Sequence, residues 1–183
     1  MEYLDIVDEK GNPTGKTVER TQAHREGCRH RTSHVWIVRR KNGRIQILLQ
    51  KRCEQKDSFP GCYDISSAGH IPAGVGYVPS AIRELKEELG LDVSPSELID
   101  CGLHDLSANT TFHGAKFVDN QVSRVFLLWK DVEAAELQIQ KEELESVMWL
   151  DFEECMEDVR TNKIRNCIDI HELELIKEHF DDF

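Results

Sequence analysis

The 183-residue chain is 39% hydrophobic and 31% charged, a composition typical of a globular protein with one sizeable core. No apolar run approaches the roughly 18 residues of a membrane helix, and the acidic N-terminal segment lacks the features of a signal peptide. We therefore expect a cytoplasmic enzyme or binding protein that does not cross a membrane. The net charge of −11 argues against a nucleic-acid partner.

The charge is unevenly distributed along the chain. Residues 16–56 hold 12 lysines and arginines against 3 glutamates, a net of +9, so the remaining residues carry −20. A basic segment beside an acidic body suits an anionic substrate bound with divalent cations, although a solvated basic loop explains the charge equally well. The six cysteines are scattered without metal-ligand spacing, which predicts reduced, mostly buried thiols rather than a disulfide frame.

Taken in chain order, the first elements predicted are a β-hairpin over residues 2–20 and a short helical turn that ends at Gly27. The clearest strand signal is SHVWIVRRKNGRIQILLQKR, in which Asn42-Gly43 joins two β-rich runs. A short strand, YDISSAG, precedes a helix predicted from Pro79 to Leu89, with Gly90 just beyond its end.

Further strands are predicted in ELIDCGLHDL, QVSRVFLLWK and ESVMWL, and terminal helices over 151–183, with Asp151 as an N-cap. No linker divides the chain, so we treat residues 1–183 as one domain, with 1–30 as an N-terminal extension. Strands and helices mix without a regular βαβ rhythm, which favours an α+β fold with a mixed sheet.

The helix predicted over 79–89 has an unusual acidic face. On a helical wheel Glu84, Glu87 and Glu88 fall within about 100° of one another, opposite an apolar stripe. Like charges at these spacings, and anions near a helix C-terminus, each cost about 0.3 kcal/mol. A divalent cation such as Mg²⁺ would compensate for this crowding, whereas an exposed acidic face of an acidic protein is the simpler alternative.

Residues 69–91 resemble the Nudix box, whose pattern is Gly, five residues, Glu, seven residues, then Arg-Glu-aliphatic-x-Glu-Glu-x-Gly-aliphatic. Gly69 begins this pattern, and Arg83-Glu84-Leu85-Lys86-Glu87-Glu88-Leu89-Gly90-Leu91 completes it. The resemblance implies an α/β/α sandwich of the Nudix type. It also implies a loop–helix–loop that binds Mg²⁺ or Mn²⁺ and cleaves a diphosphate linked to another group.

By position, the resemblance makes Glu87 and Glu88 the main metal ligands and Glu84 a further ligand or the base that activates water. Catalytic roles are expected for Arg83, Glu84 and Glu87. The family's metal site also commonly uses a backbone carbonyl before the box and a carboxylate from a later segment. The corresponding candidates are the carbonyl of Ala68 and the side chains of Glu142 and Glu143.

One position departs from the pattern, because the box glutamate six residues after Gly69 is Val75. In the family this carboxylate mainly braces the arginine that matches Arg83, so Arg83 needs another acceptor, such as Glu87. The departure puts rate and metal geometry in doubt more than metal binding. It also keeps open a non-catalytic diphosphate-binding protein with a degenerate box.

The segments ERTQAHREGCRHRTSHVWIV and FPGCYDISSAGH resemble the Nudix branch related to isopentenyl-diphosphate isomerase. That isomerase uses a cysteine at the position of Ala68, and related proteins show Asn-Glu where this chain has Asn120-Gln121. The acid–base pair needed for isomerisation is therefore not evident, and isomerase activity stays an alternative to hydrolysis. A homodimer is common among such relatives.

Basic residues of the N-terminal third are candidates for contacts with substrate phosphates, above all Arg31, Lys51 and Arg52. His24, His30 and His34 bunch in the same segment, where packing explains them as well as substrate contact does. His70 follows the box glycine and is interpreted as structural. The function expected from the sequence is Mg²⁺-dependent hydrolysis of a nucleoside diphosphate derivative or another organic diphosphate.

Overall fold

The computed structural model of the protein describes residues 1–56, 58–112 and 114–181. The described strands, in chain order, are β1 (Tyr3–Val7), β2 (Pro13–Glu19), β3 (His30–Lys41), β4 (Arg44–Arg52), β5 (Tyr63–Asp64), β6 (Ser67–His70), β7 (Leu98–Phe112), β8 (Ala115–Trp129) and β9 (Leu144–Asp151). The helices are α1 (Arg20–Glu26), α2 (Tyr77–Leu89), α3 (Phe152–Arg160) and α4 (Ile170–Lys177). None of these helices has the length and apolar character needed to cross a bilayer.

The strands form a two-stranded hairpin and a larger mixed sheet. β1 and β2 pair with each other, and the larger sheet has the order β5–β4–β3–β8–β7, with β6 added to β3 and β9 to β4. β3 and β8 run parallel, whereas the other named strand pairs are antiparallel. The predicted α+β class, with a mixed sheet and an N-terminal hairpin, is confirmed.

Helices cover both faces of the larger sheet. On one face, α2 buries Ala81, Leu85 and Leu89 in a cluster that includes residues of β3 and β8. On the other face, α3 and α4 pack over the cluster that contains the fully buried Trp36. Each helix thus removes one apolar stripe from water, and the result is the α/β/α layering expected from the sequence.

The turns and caps explain where several elements begin and end. Asn42 and Gly43 both have positive φ, 53° and 77°, as a two-residue hairpin turn of type I′ requires. Gly90, in the left-handed conformation, ends α2. Asp151 caps α3 by accepting hydrogen bonds from the amides of Glu153 and Glu154, so its predicted role as an N-cap is confirmed.

Three elements, α2, β7 and β8, differ in extent from the prediction. α2 begins at Tyr77 rather than Pro79, because the preceding Gly76 is extended and starts the helix. β7 and β8 form a hairpin that reaches Phe112 and Ala115, well beyond the predicted strands. Its outer part consists mostly of exposed or half-buried residues, so it carries little hydrophobic signal. Residues 182–183 of the predicted C-terminal helical region lie outside the described residues.

Candidate active site and metal centres

The box helix α2 carries Glu88 into a buried position beside strand β6. Glu88 is only 7% exposed, and its carboxylate accepts hydrogen bonds from the Ser67 hydroxyl at 2.7 Å and the Ala68 amide at 3.2 Å. The wheel placed Glu88 on an outer acidic face, but β6 covers that side of the helix. The main-chain and hydroxyl donors of β6 explain how a carboxylate is tolerated there.

Gly69, the first residue of the box, lies against the side chain of Glu84. A Cβ at position 69 would overlap the Glu84 carboxyl group, so any other residue there would displace the end of the Glu84 side chain. Glu84 also accepts a hydrogen bond from Arg83 at 2.6 Å. Glu84 and Glu88 therefore both approach the chain around Ala68, and we call these two side chains with the Ala68 carbonyl the carboxylate cluster.

The carboxylate cluster is short of positive charge. Burial raises the pKa of Glu84 to about 7, against the opposing charge of Arg83 and with a smaller contribution from the charge of Glu87. Burial also raises the pKa of Glu88 to about 8, with an added contribution from the charge of Glu84. Buried carboxylate oxygens close to a carbonyl are the hard donors that Mg²⁺ and Mn²⁺ prefer, so the residues present fit such an ion.

Glu87 and Arg83 lie at the solvent edge of this cluster. The Glu87 side chain is 52% exposed and lies 3.5 Å from an Arg83 nitrogen. Arg83 donates a much shorter hydrogen bond to Glu84, at 2.6 Å, and another to the carbonyl oxygen of His70, at 3.3 Å. In the absence of a carboxylate at Val75, Arg83 thus finds acceptors in Glu84 and the backbone, with Glu87 as a weaker partner.

The segment before β9 brings Glu143 towards the same helix. Gln140 donates its amide to the Glu88 carbonyl at 3.0 Å, and Glu143 donates its amide to the Gln140 carbonyl at 2.9 Å. The Glu143 side chain forms an ion pair with Lys56, whose charge acts on the buried Glu88. Glu142 is exposed, so of the two later candidates the structure brings Glu143 closer to the carboxylate cluster.

The three predicted phosphate-binding cations each have an acidic partner within the chain. These pairs are Arg31 with Asp5 at 2.8 Å, Lys51 with Glu145 at 2.9 Å, and Arg52 with Asp64 at 3.0 Å. Arg31 is buried, Arg52 also binds the Ser58 carbonyl at 2.9 Å, and Lys51 is partly exposed. The pairs hold the basic groups in place, and a phosphate role for them stays a prediction.

Two other basic residues carry charges that act on the site, and no local sequence pattern pointed to them. Besides the larger effect of burial, the positive charge of Arg20 acts on the pKa values of Glu84, His70 and Asp119. The positive charge of Lys56 likewise acts on the pKa of Glu88, on which burial has the larger effect. Arg20, at the start of α1, forms an ion pair with Glu2 at 3.1 Å, and its side chain is 47% exposed.

A second group of potential ligands is formed by His24, His30 and His70, with Asp119 beside them. One ring nitrogen of each histidine lies within 4.8 Å of the others, and the Nε2 atoms of His24 and His70 are 3.2 Å apart. The Asp119 Oδ1 atom lies 3.8 Å from His24 Nε2 and 3.7 Å from His30 Nε2. We call these four residues the histidine cluster.

The hydrogen bonds of the histidine cluster orient its rings. Nδ1 of His24 lies 2.9 Å from the Arg20 carbonyl, and Nδ1 of His30 lies 2.8 Å from the Cys28 carbonyl, so each Nδ1–H donates to the backbone. The two Nε2 atoms are thereby left as acceptors, which is the usual arrangement behind a metal-binding histidine. His30 Nε2 and Asp119 Oδ1 are buried and lack a hydrogen-bond partner among the described residues.

The electrostatics of the histidine cluster also suit a cation. Burial lowers the pKa of His24, and it lowers that of His30 to about 4 and that of His70 well below its usual value. Burial raises the pKa of Asp119 to about 6. The cluster therefore offers three neutral imidazoles and one carboxylate. The separations of 3.2, 3.7 and 3.8 Å are close to the ~3.4 Å expected between tetrahedral ligands with ~2.1 Å bonds, so the cluster fits a divalent ion such as Zn²⁺.

His34, which the sequence groups with His24 and His30, faces a different environment. Its Nδ1 lies 2.7 Å from the buried Glu172 of α4, and the same carboxylate accepts a hydrogen bond from the Trp36 indole at 3.0 Å. His34 therefore belongs to a buried ion pair between the sheet and α4.

Comparison with known proteins agrees with this fold and box. A family model described as the NUDIX domain matches residues 29–169. An uncharacterized Nudix hydrolase of Clostridium acetobutylicum is 34% identical over 153 residues, which span 84% of this chain and 71% of that protein.

Two solved structures share the fold at low sequence identity. A protein of Deinococcus radiodurans has a TM-score of 0.69 and 20% identity, with 98% of this chain and 99% of that chain covered. The NUDIX domain of Shewanella oneidensis NrtR, solved in complex with ADP ribose, has a TM-score of 0.57 and 14% identity, with 81% and 86% covered. Together with the family model and the bacterial relative, they lead to one assignment: the chain is a member of the Nudix hydrolase family.

Proposed function

We propose that this Nudix hydrolase cleaves a diphosphate linkage in a nucleoside diphosphate derivative or another organic diphosphate, and that it requires Mg²⁺ or Mn²⁺. The observation that carries the proposal is the approach of the half-buried Glu84 and the buried Glu88 to the chain at Ala68 and Gly69. The likeness to a NUDIX domain that binds ADP ribose supports a nucleoside diphosphate derivative as the substrate class.

In this proposal Glu84, Glu88 and the Ala68 carbonyl would hold the ion, with Glu87 and Glu143 at the edge of the site. A bound divalent ion supplies activation of water and neutralisation of charge on the leaving diphosphate. Glu84 accepts the proton of the attacking water, and Arg83 holds the Glu84 carboxylate in place through their 2.6 Å hydrogen bond.

Basic side chains around the two clusters would bind the phosphate groups. The charges of Arg20 and Lys56 act on Glu84 and Glu88, which makes them further candidates, and Arg31, Lys51 and Arg52 stay candidates in supporting positions. The histidine cluster is a second candidate cation site, suited to a softer ion than the carboxylate cluster. A cytoplasmic location, which the scattered spacing of the six cysteines favours, and a homodimer remain part of the proposal.

Two alternatives are distinguished from hydrolysis by particular residues. Isomerase activity would need an acid–base group at position 68, where this chain has the methyl group of Ala68, and Gln121 is not an acid. A non-catalytic diphosphate-binding protein is favoured by Val75 in the box. We prefer hydrolysis because the box is otherwise complete and Glu84 and Glu88 both approach the chain at Ala68 and Gly69.

The test is turnover of a panel of nucleoside diphosphates, nucleoside triphosphates, diphosphate sugars and isoprenoid diphosphates with Mg²⁺ or Mn²⁺. We expect release of phosphate or a nucleoside monophosphate from one class, with a loss of about 10³-fold in Glu88→Gln. Glu157→Gln, an exposed glutamate of α3, is the matched control. Binding of a panel member without turnover would favour the non-catalytic alternative, and conversion to a diphosphate isomer would favour the isomerase.

A further inference from the structure

The loop of the Nudix box is attached to the N-terminal hairpin. Leu4 of β1 and Pro72 of the box form an antiparallel bridge, and the Ala73 amide donates to the Tyr3 carbonyl at 2.8 Å. Strand β1 thus extends along the loop that connects Gly69 to the start of α2. The hairpin lies before residue 29, where the match to the family model begins.

Asp5 is the charged centre of this attachment. One of its carboxylate oxygens accepts hydrogen bonds from the Gly74 amide at 2.9 Å and from Arg31 at 2.8 Å. The same Arg31 nitrogen donates to the Val75 carbonyl at 2.9 Å. Asp5 and Arg31 are 8% and 7% exposed, so the pair is largely shielded from water and depends on its mutual neutralisation.

These contacts fall next to the one position where the box departs from the family pattern. Val75 has no carboxylate with which to brace the box, but its carbonyl and the adjacent Gly74 amide are both held by the Asp5–Arg31 pair. We propose that Asp5 is a positioning residue which braces the box loop where the box carboxylate is missing, and holds that loop so that the carboxylate cluster keeps its geometry. This inference rests on the proposed function.

The loop transmits the effect because both of its ends belong to the site. At one end Gly69 contacts the Glu84 carboxyl group so closely that no Cβ fits between them. At the other end Tyr77 begins the helix that carries Glu84 and Glu88. A loop released from Asp5 can shift relative to α2, and small displacements of reacting groups lower rates strongly.

The experiment compares Asp5→Asn with Asp8→Asn, an identical substitution in the same hairpin. Asp8 is a matched control because its side chain accepts hydrogen bonds only within its own turn, from residues 10 and 12. The measurements are kcat and KM on the substrate found in the panel, Mn²⁺ affinity by titration, and hydrogen exchange of the Gly74 amide. Thermal unfolding of each variant reports whether the fold is retained.

For Asp5→Asn we expect a loss of about tenfold in kcat with KM changed by less than about threefold. Mn²⁺ affinity should weaken and Gly74 should exchange faster, whereas Asp8→Asn should leave all four quantities close to wild type. Adding a box carboxylate, in Asp5→Asn/Val75→Glu, should recover part of the lost kcat, which a merely structural role of Asp5 would not predict.

A lower melting temperature of Asp5→Asn with unchanged kcat and Mn²⁺ affinity would overturn the inference and leave the hairpin a structural element. If that variant does not fold because Arg31 loses its counter-charge, Asp5→Asn/Arg31→Gln removes both charges and takes its place. Absence of turnover in wild type would count against the proposed function alone. Mn²⁺ affinity and Gly74 exchange would then still decide the positioning role of Asp5.

Discussion

The carboxylate cluster and the histidine cluster lie close together, yet the chain builds them in opposite ways. The carboxylate cluster comes from one continuous segment, in which β6, a short loop and α2 bring Glu84 and Glu88 to Ala68. The histidine cluster takes single residues from α1, β3, β6 and β8. Local spacing therefore specifies the first cluster, and only the complete sheet specifies the second.

The two clusters also differ in chemistry. Carboxylate and carbonyl oxygens favour Mg²⁺ or Mn²⁺, whereas three neutral imidazoles favour Zn²⁺ and related ions. The positive charge of Arg20 acts on members of both clusters, as expected of neighbouring sites. Experiments that change one cluster and leave the other intact test whether this division is real.

The largest effect is expected for the buried ion pair of His34, a histidine that is not a member of the histidine cluster. Glu172→Gln removes the buried partner of His34 and should lower the free energy of unfolding by about 3 kcal/mol. Burial alone would lower the pKa of His34, but the charge and hydrogen bond of Glu172 raise it. Burial would likewise raise the pKa of Glu172, but His34 and its other hydrogen bonds lower it.

The pH dependence of this stability follows from the raised pKa of His34 and the lowered pKa of Glu172. The contribution of Glu172 is present above the ordinary glutamate pKa of about 4.5 and is lost as the pH falls through its lowered value. The contribution of His34 is present below about 6.5 and is lost as the pH rises through its raised value. Melting curves from pH 4 to 9 should show the largest wild-type advantage between these limits. The exposed Glu174→Gln is the control, and a difference independent of pH would contradict the assignment.

A comparable loss is expected from the tight contact inside the carboxylate cluster. Gly69→Ala should lower kcat by about 100-fold, because its methyl group would displace the Glu84 carboxyl group. Gly76→Ala is the matched control, since its Cβ would meet only Pro79 at an ordinary 3.6 Å. Equal rates in the two variants would show that the position of Glu84 does not limit the reaction.

A smaller effect is expected when the histidine cluster loses one ligand. His30→Ala should weaken Zn²⁺ affinity between about 10- and 100-fold, measured by competition with a chelating dye. His171→Ala, which removes an exposed histidine of α4, should leave the affinity unchanged. Mg²⁺-dependent turnover at saturating Mg²⁺ should fall much less than in Gly69→Ala. Unchanged Zn²⁺ affinity of His30→Ala would remove the second cation site from the description.

The smallest expected effect is an increase in kcat. Val75→Glu restores the box carboxylate near Arg83, whose present acceptors are Glu84 and the His70 carbonyl. A further acceptor should hold Arg83, and through it the Glu84 carboxylate, more firmly, and kcat should rise about threefold. Steady-state rates at saturating Mg²⁺ measure the change, and an unchanged rate would mean that Arg83 is already sufficiently braced.

The carboxylate cluster was largely predictable from the sequence, whereas the histidine cluster was not. The Gly69-to-Leu91 pattern identified the box, its helix and its glutamates, because all of their spacing is local. The burial of Glu88 could not be predicted, since it depends on Ser67 and Ala68 of a strand about 20 residues earlier. The helical wheel alone placed that carboxylate in solvent.

The histidine cluster carried no readable signal beyond the bunching of histidines after residue 23. Its members come together only when β3 pairs with β6 and α1 folds over β8. His34, from the same group of histidines in the sequence, contacts Glu172 instead. The salt bridge of Arg31 with Asp5, 26 positions away, is likewise invisible to local pattern. Charged residues could be listed as candidates, but their partners are set by the tertiary fold.

The parallel pairing of β3 with β8 has a consequence for how the protein folds. The hairpins β3–β4 and β7–β8 join neighbouring strands and can form early, whereas β3 and β8 meet across 91 positions of sequence, a contact that closes slowly. His30 lies on one of these strands and Asp119 on the other. The histidine cluster is thus complete only after this late step. An ion bound there would hold the finished sheet together and slow its opening, and the stabilisation of the native chain would grow with the logarithm of the ion concentration.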